Sequence, residues 1–203
     1  MKKLSISAVY VDSLVIAFKN SLSLIGAIVL WLLTIWIPYI NVGTTIGLLA
    51  LPLELSRGHI ISPTAIFKAE YRKRMGEVFI YFAIYYLAVF AGMLFGVIPG
   101  IVISFAFSMG IYIMLDYKLN PIEALTQSNA LTYGNKWRMF FATLLVGLSI
   151  GVVCAIVTYT LGRIPFVGVL FSLAVSIIGS AWSISLNAVY YRELVGGEQP
   201  VAA

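Results

Sequence analysis

The amino-acid sequence predicts an all-α protein, a polytopic bundle of helices that crosses a membrane. Of its 203 residues, 61% are apolar and only 10% are charged, whereas a soluble domain has about 25% charged residues. Because the lipid core holds no water to satisfy backbone N–H and C=O groups, only helices or a closed barrel can span it. The apolar runs are continuous and do not alternate as barrel strands do, so helices are predicted.

Six apolar segments are the predicted spans of a single membrane domain over residues 1–203. They lie near 21–37, 39–56, 77–97, 100–116, 138–160 and 166–190. A span needs about 20 residues to cross about 30 Å of hydrocarbon. The second segment is the weakest, because Gly43, Thr44 and Pro52 interrupt its apolar core. A re-entrant segment is the alternative at this position.

The chain before the first span, residues 4–20, is predicted to form an amphipathic helix. Its apolar residues recur at helical spacing on one face. They are Leu4, Ala8, Val11, Val15 and Phe18. Two placements remain open for this helix: it lies in the membrane interface, or it packs on the cytoplasmic ends of the bundle.

Three prolines divide the spans into pairs. Pro38, Pro99 and Pro165 each follow an isoleucine and begin an apolar run. Proline ends the helix before it and suits the first turn of the next one. Each pair is therefore predicted to be a helical hairpin, repeated three times. The links between hairpins begin at Ser62 and Asn120, each an N-cap residue followed by proline, and predict short interfacial helices.

The charged residues indicate the orientation. Apart from Arg163, every Lys and Arg falls on the side that both termini share, as does every Asp and Glu. An excess of Lys and Arg in short loops marks the cytoplasmic side of a membrane. Both termini are therefore predicted in the cytoplasm. These residues also account for the net charge of +5, so nucleic acid is not expected as a partner.

The sequence offers little sign of chemistry. The central parts of the spans contain no ionisable residue, and such residues mark proton and ion pathways. No metal-binding or nucleotide-binding motif occurs, so we expect no catalytic residue, metal or cofactor. The alternative is a membrane enzyme at the inner interface that uses Glu54, His59 and Asp116. The only cysteine, Cys154, is predicted to be a buried inert thiol.

Small residues recur at four-residue spacing in the predicted spans. The candidate helix-packing positions are Gly92, Gly96, Gly100, Gly147, Gly151, Ser172 and Ser176. Small side chains let helix backbones approach closely in a membrane. These positions are predicted to pack helices within the bundle, with a seam between separate chains as the alternative.

A compact basic patch precedes the third span. It consists of Lys68, Arg72, Lys73 and Arg74. Basic residues next to a membrane are attracted to anionic headgroups by about 1 kcal/mol each. We therefore expect membrane lipids among the partners of this chain.

Several motifs resemble a broad group of prokaryotic six-helix membrane proteins. They are Gly96-Val-Ile-Pro-Gly100, Asn120-Pro-Ile-Glu-Ala-Leu125, the run from Leu131 to Trp137, and Tyr191-Arg-Glu-Leu194. The group includes the uncharacterised UPF0259-like proteins and the membrane domain found beside some glycerophosphoryl diester phosphodiesterases. The resemblance is clearest over residues 92–145. It implies a protein of the prokaryotic cytoplasmic (inner) membrane and implies no chemistry.

Taken together, these features predict a non-enzymatic membrane protein that acts as a scaffold, accessory or assembly subunit. Other membrane proteins or a second copy of the chain are the expected partners beside lipids. The alternative is a carrier of a small apolar or amphipathic molecule, such as a lipid or peptide. Its path would be lined by Thr44, Thr45, Ser104, Ser108, Thr158 and Ser183.

Overall fold

A computed structural model describes residues 3–161 and 165–196, and confirms the all-α prediction. The α-helices are α1 (Ile6–Lys19), α2 (Ser21–Thr34), α3 (Pro38–Ser56), α4 (Ala69–Lys73), α5 (Met75–Leu94), α6 (Val97–Phe107), α7 (Gly110–Tyr117), α8 (Pro121–Leu131), α9 (Lys136–Leu161) and α10 (Pro165–Val195). A 3-10 helix, Pro63–Phe67, precedes α4. No strand occurs within the described residues. Arg163, the one basic residue predicted outside, lies outside the described residues.

Within the described residues, four helical stretches are long and apolar enough to cross a membrane. They are Met75–Leu94, Val97–Tyr117, Lys136–Thr160 and Val167–Val195. A fifth arises if α1 and α2, which meet at an angle of 75°, cross as one broken span. Several apolar helices compatible with a multi-pass membrane protein are thus confirmed, while six spans in three hairpins stay a prediction.

The predicted N-terminal helix is present as α1, and most of its predicted apolar face points away from the bundle. Leu4, Val9 and Ser13 are buried, whereas Val11 and Phe18 are exposed. Polar contacts fix the buried face, because the Trp182 indole N–H donates to the Ser13 hydroxyl at 2.9 Å. The helix packs along α9 and α10 and leaves its apolar stripe uncovered.

The link between α3 and α4 packs one side against the bundle, whereas Ser62, Thr64 and Phe67 are exposed. Ile66 of the 3-10 helix is fully buried. A Cβ placed on Gly47 of α3 would lie only 2.3 Å from the Ile66 carbonyl oxygen, and one on Gly26 of α2 would lie 3.0 Å from the Pro63 ring. Glycines on both helices therefore make the space in which the link is held.

The link and α4 lie against one face of α3, because Gly43 and Gly47 are four residues apart in the helix. The side chain of Arg72 lies over Gly43, with 2.6 Å between the Arg72 Cγ and an added Cβ at Gly43. If α3 crossed the bilayer fully, the Arg72 side chain would lie close to the hydrocarbon core, where a cation is costly. Residues 39–56 are not among the described stretches that are long and apolar enough to cross a membrane.

The turn between α5 and α6 uses the predicted glycines. Gly96 has φ of 138°, a conformation that side chains disfavour. A Cβ on Gly92 would lie 3.1 Å from the Gly100 Cα, so the two helices pack closely at this point. Pro99 lies within the first turn of α6, where its missing N–H has no partner to lose.

The helix formed by α6 and α7 is interrupted at Ser108 and Met109. A side chain of α8 bonds the backbone groups that the interruption leaves without helical partners. The Ser128 hydroxyl donates to the Ala106 carbonyl at 2.7 Å and accepts from the Met109 N–H at 3.2 Å. The Tyr81 hydroxyl donates to the Phe107 carbonyl from the other side. Buried backbone groups without partners are costly, so these contacts hold α8 against the bundle.

The larger cluster of buried apolar side chains joins α1, α3, α5, α7 and α8 with the first part of α9 and the last part of α10. The opposite halves of α9 and α10 are uncovered. Their exposed apolar residues include Val152, Ile156, Val169, Leu170 and Leu173. An apolar exterior of this extent on a folded chain is what lipid solvates.

Candidate functional site

Charged side chains gather at one end of the fold, where α3 and α7 end and α4 begins. They surround a pocket of about 220 Å³. Its charged lining residues are Glu54, Arg57, Glu70, Arg74, Asp116 and Lys118, with Tyr71 beside them. The sequence placed Glu54 and Asp116 at the inner ends of separate spans, and the structure brings them to one pocket.

Asp116 has a partner on each carboxylate oxygen. Arg57 pairs with Oδ1, and the Tyr191 hydroxyl donates to Oδ2 at 2.6 Å. The Asp116 side chain is only 15% exposed. A half-buried carboxylate needs such donors to remain charged, and here they come from α3 and α10. Asp116 therefore joins three helices.

Glu54 forms a second paired group. Its carboxylate lies 3.0 Å from His59 Nδ1 and accepts from Lys68 Nζ at 3.3 Å. The hydrogen bond with His59, opposed by burial and aided by Lys68, lowers the pKa of Glu54 below its usual value. Glu54 is thus held in its charged form.

Arg74 fixes the end of α7. Its guanidinium pairs with Glu77 and donates to the Met114 carbonyl at 2.7 Å and the Leu119 carbonyl at 3.1 Å. The last carbonyls of a helix lack intrahelical partners, and a cation placed there also complements the helix dipole. Arg74 therefore has a structural role at the end of α7.

The predicted lipid-contact residues divide into two classes. Lys68 and Arg74 are engaged by carboxylates within the chain. Arg72 and Lys73 form no ion pair with the acids of the described chain. Lys73 is exposed, and the Arg72 stem lies on Gly43. Headgroup contact stays a prediction, carried by Arg72 and Lys73.

The charged pocket has the geometry of a structural network. In residues 3–161 and 165–196, no group of three or more His, Cys, Asp or Glu side chains could hold a metal ion. Burial, with the neighbouring Glu70 and Glu54, raises the pKa of Tyr71 to about 12, so its hydroxyl keeps its proton at neutral pH. Glu54 faces Lys68, and its lowered pKa makes it a poor base.

The predicted helix-packing positions differ in what surrounds them. Gly92 and Gly100 pack within the α5–α6 hairpin, and Gly96 forms its turn. Gly147 and Gly151 of α9 have no atom within 4 Å of an added Cβ. Ser176 and Ser180 are exposed, and each donates to the carbonyl four residues earlier at 2.8 Å. Cys154, predicted to be buried, is half-buried on α9.

The six residues predicted to line a carrier path do not share one cavity. Thr44 lies 2.9 Å from the Thr34 hydroxyl, and Thr45 accepts from the Trp31 indole at 2.8 Å; both contacts join α2 to α3. Ser104 donates to its own helix, and Thr158 is exposed. Ser108 and Ser183 line one pocket, between α6, α9 and α10.

Sequence reasoning missed two groups in that second pocket, Thr143 and Tyr190. Their hydroxyls lie 2.9 Å apart, although they are far apart in the chain. Tyr190 forms part of an apolar and aromatic ending, so its pattern indicates a core or interfacial residue. Only the packing of α9 on α10 brings the two hydroxyls together.

Comparison with known proteins gives no match. No family model, no curated protein and no solved structure matches the chain. The resemblance to the six-helix membrane proteins therefore stays a prediction that rests on the sequence motifs.

Proposed function

We propose that this chain is a non-enzymatic integral membrane protein that binds another membrane protein as a scaffold, accessory or assembly subunit. The supporting observation is the open glycine face of α9. Gly147 and Gly151 lie one turn apart, and nothing in the described chain packs on either. At other helix contacts a neighbouring residue occupies the space beside the glycine, as Ile66 does at Gly47. Close helix approach in membranes uses such uncovered small residues.

The arrangement of charges supports binding over catalysis. Asp116, Glu54 and Arg74 all have partners that join helix ends, so the best candidates for acid–base chemistry have structural uses. An activated base needs a pKa near the working pH. The pKa of Glu54 is lowered instead.

We further propose a prokaryotic cytoplasmic membrane and a cytoplasmic charged end that includes both termini, as in the six-helix proteins that the sequence resembles. In this arrangement α5, α6–α7, α9 and α10 cross the bilayer, and α2–α3 is a re-entrant hairpin. The turn between α5 and α6 and that between α2 and α3 carry no charged residue, which suits the positive-inside rule. Among the described residues, α3 is not one of the helices long and apolar enough to cross a membrane, which supports the re-entrant placement.

Cysteine labelling in intact cells tests this topology. In a Cys154→Ser background, single cysteines replace Trp36, Phe95 and Tyr133, all highly exposed. A membrane-impermeant maleimide should label the Phe95 variant in intact cells and the Tyr133 variant only after permeabilisation. The Trp36 variant should resist labelling from outside, because its turn ends within the bilayer. Equal outside labelling of Trp36 and Phe95 variants would establish a full α2–α3 crossing.

A pull-down tests the function. A tagged chain is extracted in native nanodiscs, and co-purifying proteins are identified by mass spectrometry. We expect one membrane protein in stoichiometric amount, and its loss with Gly151→Leu, which fills the open face. Gly76→Leu is the matched control, because Gly76 of α5 also has nothing within 4 Å of a Cβ. Purification of the wild-type chain as a lone monomer contradicts the proposal.

A further inference from the structure

The second pocket lies between the end of α6 and the facing sides of α9 and α10, with a volume of about 220 Å³. Its apolar wall includes Phe105, Val146 and Leu186, and its polar wall includes Ser183 and Asn187. Gly147 lies at its edge with open space above its Cα. The lining is therefore amphipathic and contains no charged residue.

The hydroxyl hydrogens in the pocket are already used. Ser108 donates to the Phe105 carbonyl at 3.0 Å, and Ser183 to the Gly179 carbonyl at 3.0 Å. Tyr190 donates to the Met139 carbonyl at 2.8 Å, which leaves Thr143 to donate to the Tyr190 oxygen at 2.9 Å. A hydroxyl has one hydrogen and two lone pairs. These groups therefore offer the pocket acceptors only.

Asn187 adds one further acceptor and a donor. Its Nδ2 donates to the Ser183 carbonyl at 3.0 Å, which leaves one amide hydrogen and the Oδ1 atom without a partner in the described chain. An amide oxygen facing hydrocarbon without a hydrogen bond is costly. The complementary ligand supplies a hydrogen-bond donor to this oxygen and an acceptor to the amide hydrogen.

The depth of the pocket in the membrane narrows the chemical class of its ligand. Thr143 lies about 10 Å along α9 from Lys136, the first residue of the helix, at 1.5 Å per residue. If the charged end lies at the cytoplasmic surface, the pocket is level with the glycerol and ester groups of the inner leaflet. Lipid hydroxyl and ester groups lie at this depth, so a lipid headgroup can supply the donor.

We propose that this pocket binds the headgroup of a neutral lipid with a free hydroxyl, of the diacylglycerol class. The free hydroxyl donates to Asn187 Oδ1, an ester carbonyl accepts from Nδ2, and the acyl chains follow the apolar wall past Gly147. A phosphate would find no cation in the lining, which favours a headgroup without phosphate. The inference goes beyond partner binding and depends on the same membrane placement.

The test uses the full chain in phosphatidylcholine nanodiscs with a photoactivatable diacylglycerol. We expect labelling of wild type, and about a tenfold loss with Gly147→Leu, because Gly147 lines the pocket and has open space for a Cβ. Gly151→Leu is the matched control: it has the same open environment on the same helix but does not line the pocket. Equal labelling of both variants overturns the site.

Competition tests the ligand class. Unlabelled dioleoylglycerol should displace the probe, whereas its methyl ether at the free hydroxyl should compete about tenfold more weakly. Asn187→Leu should remove this difference, because it deletes the acceptor. Equal competition by the ether overturns recognition of the hydroxyl, and equal competition by phosphatidylglycerol overturns the neutral class. If Gly151→Leu loses the protein partner but keeps diacylglycerol labelling, the lipid site is distinct from the proposed partner surface.

Discussion

Tyr191 of α10 donates a hydrogen bond to Asp116, the penultimate residue of α7, over 2.6 Å. Arg57, which follows α3, pairs with the other oxygen of the same carboxylate. One acidic side chain thus holds the ends of three helices together. In a membrane bundle whose apolar surfaces are solvated by lipid, such polar contacts specify which helices meet.

Removal of the Tyr191 hydroxyl should destabilise the bundle. Tyr191→Phe leaves the half-buried Asp116 with one donor fewer, at a cost of about 1.5–3 kcal/mol for a bond to a charged group. Arg57→Gln should cost less, about 1 kcal/mol, because Arg57 is 47% exposed. Thermal unfolding in one detergent measures both.

Two further variants separate this contact from general effects. Tyr133→Phe should be neutral, because Tyr133 is 68% exposed. In an Asp116→Asn background, Tyr191→Phe should lose part of its effect, since contacting residues are not additive. Full additivity would mean that the bond between Tyr191 and Asp116 contributes nothing.

The interruption between α6 and α7 should depend on Ser128. Ser128→Ala leaves the Met109 N–H without its hydroxyl acceptor and removes a donor to the Ala106 carbonyl, in a fully buried place. A buried unsatisfied group costs about 1–3 kcal/mol. Thr126→Ala on the exposed side of α8 is the control and should be neutral. Equal melting temperatures for the two variants would show that α8 does not support the interruption.

The glycine under the link should tolerate no side chain. Gly47→Ala places a Cβ against the Ile66 backbone, and overpacking of this kind costs about 1–3 kcal/mol. Gly76→Ala has open space and should be neutral or stabilising by up to about 1 kcal/mol. Chemical unfolding in mixed micelles distinguishes the two. A neutral Gly47→Ala would show that the link lies away from α3.

Acid should weaken the end of α3. The pKa of Glu54 is lowered in the folded state by its bond with His59, so Glu54 stabilises the fold above its unfolded pKa of about 4.3. This contribution is lost as pH falls through the lower folded pKa. The melting temperature should therefore fall further between pH 6 and about pH 3 for the wild type than for Glu54→Gln. Parallel losses would contradict a stabilising role for the Glu54 carboxylate.

The composition alone predicted the all-α class and the apolar exterior, and local rules predicted several helix starts. Pro38 begins α3, and the Asn120 side chain accepts from the Glu123 N–H at 2.9 Å as an N-cap. Both depend only on residues within one turn, so their pattern is visible in the sequence. The paired glycines of the α5–α6 hairpin were predicted for the same reason.

The tertiary structure decided where the polar groups and the links lie. Amphipathic spacing placed Val11 and Phe18 on one apolar face of α1 but left open whether lipid or the bundle covers it. In the structure Ser13, bonded to Trp182, lies on the packed face instead. Ile66 of the link is buried because glycines of α2 and α3 leave space for the link backbone. In lipid, apolar residues have no strong preference between the interior and the exterior of the bundle, so the sequence could not rank these faces. Hydrogen bonds and close backbone contacts between distant segments made the choice.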